Sequence, residues 1–188
     1  MSGHSLGEVM RTCIILGGAS CVWDDAKAAS FDPDVVIAIN DIGTVWPQVD
    51  YWVTFHPEKW DRWRGERDRV KLPPARVHVS HAPPADVVMT KWTMPGSVRS
   101  GGSALLAVKV AMELAQCDRI VLAGCPIDGK QSHYFDSQVW PDADNFTTAW
   151  REAVNHIGSC TRSMSGFTRE LLGAPDVNWL AGSKAGLK

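Results

Sequence analysis

The sequence lacks any apolar run close to the ~20 residues that a membrane-spanning helix needs. It also lacks an excess of charge of one sign. The 19 Lys and Arg stand against 21 Asp and Glu, for a net charge of −2. Such a chain has no broad positive field, so it carries no strong nucleic-acid signal, although a local basic patch stays open. The first residues lack the charged-then-apolar shape of a secretory signal. There is no C-x-x-C pair and no cysteine–histidine spacing of a zinc site. The five cysteines are odd in number and scattered. They read as reduced, mostly buried thiols of a cytoplasmic protein. With no internal repeat, low-complexity tract or domain boundary, the 188 residues read as one domain, with 1–10 and 173–188 as peripheral extensions.

What the chain does have is apolar content, 45% against 21% charged, which is enough for a core. Nine tryptophans are many for this length, and some of them must lie on the surface or in a cleft.

Short β-branched and aliphatic runs alternate with helical patterns. Strands are expected at residues 12–16, 34–39, 51–55, 76–80, 119–123 and 160–164, and helices at 21–30, 57–67, 104–116, 144–156 and 168–172. Pro57 suits the first turn of its helix. Leu105, Val108, Met112 and Ala115 share one face of theirs. Residues 82–96 are proline-marked loop. Near-continuous apolar strands separated by helices predict an α/β fold with a mainly parallel, doubly wound sheet of about six strands, covered on both faces.

In an open parallel sheet, ligands bind beyond the carboxyl ends of the strands. Small and polar residues gather there: Gly17, Gly18 and Ser20 after the first strand, Asn40 and Asp41 after the second, and His56 after the third. Asp128 and His133 follow the fifth, and Ser165 the sixth. Each alone is equally well a turn-former; together they suggest a site. Gly17 and Gly18 form neither a G-x-G-x-x-G fingerprint nor a G-x-x-x-x-G-K-[ST] loop, which disfavours an ordinary nicotinamide enzyme and a Walker-type hydrolase. Their backbone could still meet an anion. Ser100, Gly101, Gly102 and Ser103 open a helix, so free N–H groups and the positive dipole end would face a ligand, or the stretch is only an N-cap. Asn40 can offer a donor and an acceptor to a ribose or base. Asp128 could orient a hydroxyl or hold Mg²⁺ against a phosphate. His133 has a side chain suited to general acid–base work, unless it is simply a solvated loop residue.

His78 and His81 fall on opposite faces of a strand, so a metal pair would need a bend between them. Trp60 and Trp63 fall on one face of a helix that also carries Lys59, Arg62, Arg64 and Arg67. That face could stack on a base, but Glu58, Asp61, Glu66 and Asp68 offset its charge. It reads better as a solvated helix anchored by its tryptophans.

Ile14-Ile-Leu-Gly-Gly-Ala-Ser20, Ile37-Ala-Ile-Asn40 and Asp50-Tyr-Trp-Val-Thr-Phe-His56 resemble Rossmann-like transferases of two kinds. One is the Campylobacter-type sialyltransferases, and the other is the 6-hydroxymethylpterin diphosphokinase-like proteins. The general look is also that of many small phage or prophage proteins. Ser100-Gly-Gly-Ser103 with its helix, Ile120-Val-Leu-Ala-Gly124 through Asp128, and His133-Tyr-Phe135 resemble the later segments of the same group. Ala19 departs from the proline usual there, and Cys125-Pro126 lengthens the spacing from Gly124 to Asp128.

The resemblance implies a transferase with a nucleotide or nucleotide-sugar donor, of glycosyltransferase type, acting on a small hydroxyl acceptor. Phosphates would lie over residues 17–20 and 100–103, Asn40 would hold ribose or base, and His133 would deprotonate the acceptor. Two other readings stay open. One is a Mg²⁺-dependent ATP diphosphotransferase using Asp41 and Asp128. The other is a non-catalytic nucleotide-binding or adaptor module, with homo-oligomers formed through a tryptophan-rich surface.

Overall fold

The computed structural model describes residues 10–140 and 143–181. Seven strands form one parallel sheet: β1 (Thr12–Leu16), β2 (Val35–Ile39), β3 (Tyr51–Thr54), β4 (Val77–Ser80), β5 (Val87–Val88), β6 (Arg119–Ala123) and β7 (Thr161–Ser163). Their order is β5-β4-β3-β2-β1-β6-β7. The expected parallel α/β fold is what forms. Winding runs outward from β1 to β5 and then restarts on the other side at β6. The reversal lies between β1 and β6, which pair in register from Thr12 with Arg119 to Leu16 with Ala123. At such a reversal the connections leave in opposite directions and open a crevice above the strand ends.

Two helices, α1 (Val22–Ala29) and α2 (Trp60–Arg69), cover one face together with a 3-10 segment, Asn40–Thr44. Ile14, Leu16, Val22, Trp52, Trp60 and Trp63 pack there. Trp52 meets Trp60 edge-on at 5.4 Å, and Trp60 meets Trp63 at 5.9 Å. The reading of α2 as a helix anchored by its tryptophans holds, since both of its indoles are buried. The opposite face is covered by α3 (Gly102–Glu113), α4 (Asp144–Ile157) and α5 (Gly166–Leu172). Amphipathic spacing assigned α3 one buried face, but it is buried all round from Ser103 to Ala111. It lies between the sheet and α4, with Met89 and Met94 of the preceding loop in the same core.

Three features depart from the sequence reading. The sheet has a seventh strand, the two-residue β5, held by Val79 against Val87 and by Met89 N–H donating to Ser80 O at 2.8 Å. Two residues are too few to show any periodicity. The tail after 173 is not wholly peripheral: α6 (Val177–Leu180) is capped by Asp176, and the Trp179 ring lies 5.0 Å from the guanidinium carbons of both Arg119 and Arg162. The expected lead-in at 1–10 falls almost entirely outside the described residues.

Arg67 is the third departure. The solvated-helix reading leaves its side chain in water, yet it is 1% exposed. Its Nη1 donates to Gly43 O at 2.6 Å and to Trp46 O at 2.7 Å, its Nη2 to Pro47 O at 3.1 Å, and its Nε to Pro73 O at 2.6 Å. The planar fork therefore ties α2 to the loop that follows the 3-10 segment. No described helix is long and apolar enough to cross a membrane.

Candidate functional site

Above the β1/β6 reversal lies a cleft of about 430 Å³. Gly17, Gly18, Asn40, Asp41, His56, Gly101, Gly102, Ser103, Asp128 and His133 all line it. Most of the expected site residues therefore meet in one place, although they come from four separate strand ends and a helix start.

The Gly17–Gly18 turn differs in its local role from the expected anion cradle. Its N–H groups are largely committed: Gly17 donates to Ala123 O at 2.8 Å, Ala19 to Gly124 O at 3.2 Å, and Ser20 to Ser132 O at 2.8 Å. What the glycines supply is closeness. A Cβ on Gly17 would overlap the Gly124 carbonyl and lie 2.6 Å from Cys125 Sγ. A Cβ on Gly18 would lie 2.7 Å from His133 Nε2. Gly18 O also accepts from Tyr134 N at 2.8 Å, and Ala19 bridges to His133. The turn is thus a floor on which the 131–139 loop folds back as a narrow hairpin, with His133 N–H donating to Gln138 O at 2.6 Å.

His133 stands between two carboxylates. Its Nε2 is 3.7 Å from Asp41 Oδ1, and its Nδ1 is 3.9 Å from Asp136 Oδ1. Both Asp41 Oδ1 and His133 Nδ1 are buried atoms without a hydrogen-bond partner, so each retains capacity for a ligand. Burial raises the Asp41 pKa above its ordinary value, and the neighbouring His133 and Lys59 oppose that rise. Asp41 and Asp136 would stabilise an imidazolium at His133.

Asn40 sits in the left-handed region at φ 53°, which asparagine tolerates better than most residues. Its Oδ1 accepts from Thr54 Oγ1 at 2.7 Å and from Ser103 Oγ at 3.2 Å. Those hydroxyls in turn accept from His56 N at 2.8 Å and Phe55 N at 3.1 Å. With the carbonyl oxygen doubly engaged, Asn40 has its amide N–H groups left to offer a ligand, and they suit an acceptor atom on a base, ribose or phosphate.

Next to Asn40 lies the start of α3, where Gly101, Gly102, Ser103 and Ala104 line the cleft. The first N–H groups of a helix have no intrahelical partner and carry the positive end of the dipole. Ser100 stays outside the lining: its Oγ accepts from Gly102 N–H at 3.1 Å and shapes the helix entry. Ser20 also lies outside, donating to Gln131 Oε1 at 3.4 Å. Ser165 is occupied behind the cleft, where it donates to Asp25 Oδ2 at 2.7 Å. The same Asp25 oxygen accepts from Gly124 N–H at 2.8 Å, so a buried carboxylate pins the turn after β6. Asp128 Oδ1 accepts from Lys130 N–H at 3.1 Å and Gln131 N–H at 3.4 Å, closing a turn at the rim.

Sequence reasoning did not place Lys59 and Arg62 at the site, yet both line the cleft, Lys59 just before α2 and Arg62 in its first turn. Their position just after His56, at a strand end, was the available signal. Gln131, Asp136, Gln138 and Trp140 were also missed, because nothing in the loop pattern shows the hairpin that carries them. Cys125 lines the cleft as well, but burial pushes its thiol far above the ordinary value and keeps it protonated. Among the described residues no group of three or more His, Cys, Asp or Glu side chains is placed to hold a metal ion.

No protein-family model matches this chain, and no curated protein matches it in sequence. Its fold is similar to that of the sialyltransferase CST-II, in a crystal structure with a trisaccharide acceptor and CMP. The TM-score is 0.59 at 11% identity, over 88% of this chain and 87% of that one. At that identity the likeness is one of fold. It runs with the sialyltransferase side of the resemblance, while the pterin-kinase side and a phage source have no counterpart in it.

Proposed function

We propose that this protein is a transferase that takes a glycosyl group from a nucleotide-sugar donor and places it on a hydroxyl acceptor. The observation that carries the reading is His133, set between Asp41 and Asp136 in a cleft that the start of α3 also lines. A neutral imidazole takes the proton of the acceptor hydroxyl. The acceptor oxygen bonds to the anomeric carbon as the bond from that carbon to the phosphate oxygen breaks. The electron pair leaves with the nucleotide phosphate, where the α3 N–H groups, Lys59 and Arg62 offset its charge. Asn40 donates to the nucleotide portion, and the two carboxylates stabilise the imidazolium. The likeness in fold to a sialyltransferase supports the glycosyltransferase class of this reading.

The test has two stages. Thermal shift with CMP, CDP, UDP, ATP and AMP, with and without Mg²⁺, identifies the nucleotide. Stabilisation by a cytidine or uridine nucleotide without metal is expected; no shift at millimolar concentration overturns the reading. Transfer from the matching labelled nucleotide sugar is then compared with His133→Ala. General base work contributes roughly 10²–10⁴-fold. Loss of that size with nucleotide binding retained is expected, and normal turnover by the variant removes His133 from the chemistry.

A further inference from the structure

The nine tryptophans range from fully buried to exposed. Trp52, Trp60, Trp63 and Trp150 are among the largest fully buried side chains of the protein. The aromatic side chains that are exposed among the described residues are Trp23, Tyr134, Phe135 and Trp140. All four sit at the carboxyl edge of the sheet, around the cleft. Trp140 lines it. The other three are not part of its lining but adjoin it through His133, which is.

Those three are held in fixed positions. Trp23, in the first turn of α1, stacks on Trp46 at 4.2 Å with planes 21° apart. Trp46 is anchored below: its carbonyl accepts from the buried Arg67, and its ring packs against the tryptophan core. Tyr134 stands 6.4 Å from Trp23 at 55°, and Phe135 meets Tyr134 edge-on at 4.9 Å. Phe135 lies 6.3 Å from the His133 ring, which makes the group continuous with the proposed base. Two carboxylates stand at its His133 end: Asp136 follows Phe135, and Asp41 faces His133.

The geometry points to this aromatic shelf as the subsite for a neutral carbohydrate acceptor, whose pyranose ring lies flat on Trp23 against Tyr134. The inference rests on the transferase reading above and adds to it the chemical class and place of the acceptor. Sugar rings present a face of C–H groups that packs on an indole, while their rim of hydroxyls donates to carboxylates. An aromatic side chain buries about 150–250 Å² when covered. At 37%, 39% and 44% exposure, Trp23, Tyr134 and Phe135 together offer roughly 200–300 Å². A stable protein interface needs about 800 Å² per partner, so the shelf is far too small for a second copy of the chain. It is the size of one or two sugar rings. The two carboxylates at its end disfavour a nucleic acid or another polyanion.

The test labels the nine tryptophans with 5-fluorotryptophan and follows them by fluorine NMR, with Trp23 and Trp140 assigned through Trp→Phe variants. Lactose, cellobiose and diacetylchitobiose are titrated to tens of millimolar. A saturable shift of Trp23 with at least one disaccharide is expected, with the core signals of Trp52 and Trp150 unmoved. Tyr134→Ala should weaken that response at least fivefold. If Trp23 ignores all three sugars, the shelf is not an acceptor subsite. A Trp23 signal that changes with protein concentration alone overturns it too, in favour of self-association. Adding CMP and then UDP to the same sample reads Trp140 in the cleft. A nucleotide response without a sugar response defeats the shelf and spares the transferase reading; a sugar response with neither nucleotide leaves a carbohydrate site but removes the transferase reading and with it the acceptor role.

Discussion

Replacing Arg67 by methionine is the sharpest stability test, because a surface-looking arginine bears on the site from a distance. The substitution removes the donor to four carbonyls, on Gly43, Trp46, Pro47 and Pro73. Hydrogen bonds from a charged donor contribute about 1.5–3 kcal/mol each, but water reaches the outer carbonyls once the side chain is gone. The Gly43 bond is fully buried, and its oxygen would be stranded at a cost of about 1–3 kcal/mol. Methionine keeps some apolar packing and removes a buried charge, which offsets part of the loss. The net expectation is about 3–5 kcal/mol of destabilisation, a large share of a typical 5–15 kcal/mol. With a urea slope of roughly 2 kcal/mol/M, the unfolding midpoint falls by about 1.5–2.5 M. Arg67→Lys should recover less than half of this, since a single ammonium cannot span four acceptors. Faster hydrogen exchange at residues 40–46 and weaker nucleotide binding should accompany the loss, because Asn40 and Asp41 ride on the 3-10 segment that Arg67 holds. A midpoint shift under about 0.5 M for the methionine variant would refute the reasoning and mean that water satisfies these carbonyls unaided.

Two glycines should behave oppositely to alanine. Gly17→Ala drives a Cβ into the Gly124 carbonyl and should cost at least about 3 kcal/mol by thermal or urea unfolding. Gly65→Ala, inside α2 with nothing within 4 Å, should stabilise by about 0.5–1 kcal/mol in the same assay. Asp41 provides a pH test. Its folded pKa is raised, chiefly by burial, so the folded state holds the Asp41 proton more tightly than the unfolded chain does. That contribution is present below about pH 4, the unfolded carboxyl pKa, and is lost as pH rises through the folded value. Asp41→Asn should therefore gain stability relative to the parent as pH goes from about 4 to 7, and a flat difference across unfolding curves at several pH values would count against a raised pKa.

Much of the fold was legible along the chain because its causes are local. Cys13, Ile14, Ile15 and Leu16 are a short apolar run that suits a strand buried on both faces, and Gly17 and Gly18 end it. The β5 pair of Val87 and Val88 was not legible, since an edge contact with Val79 and Ser80 defines it and the two residues carry no pattern. Asn40, Asp128 and His133 were found by their place at strand ends. Lys59 and Arg62 were set aside because their neighbours Glu58 and Asp61 balance their charge, while in the fold both line the cleft.

The sequence by itself determined that this is a parallel α/β protein with polar residues at its strand ends, because apolar periodicity and turn chemistry act over a few residues. Only the tertiary structure decided the order of the strands, and with it the reversal at which β1 and β6 open a cleft. It alone turned Gly18 from an anion-binding turn into a seat for His133 and drew Arg67 from the surface into the core. It also gathered Trp23, Trp46, Tyr134 and Phe135 on one edge. These outcomes depend on which distant segments meet, and no local pattern in the chain encodes that.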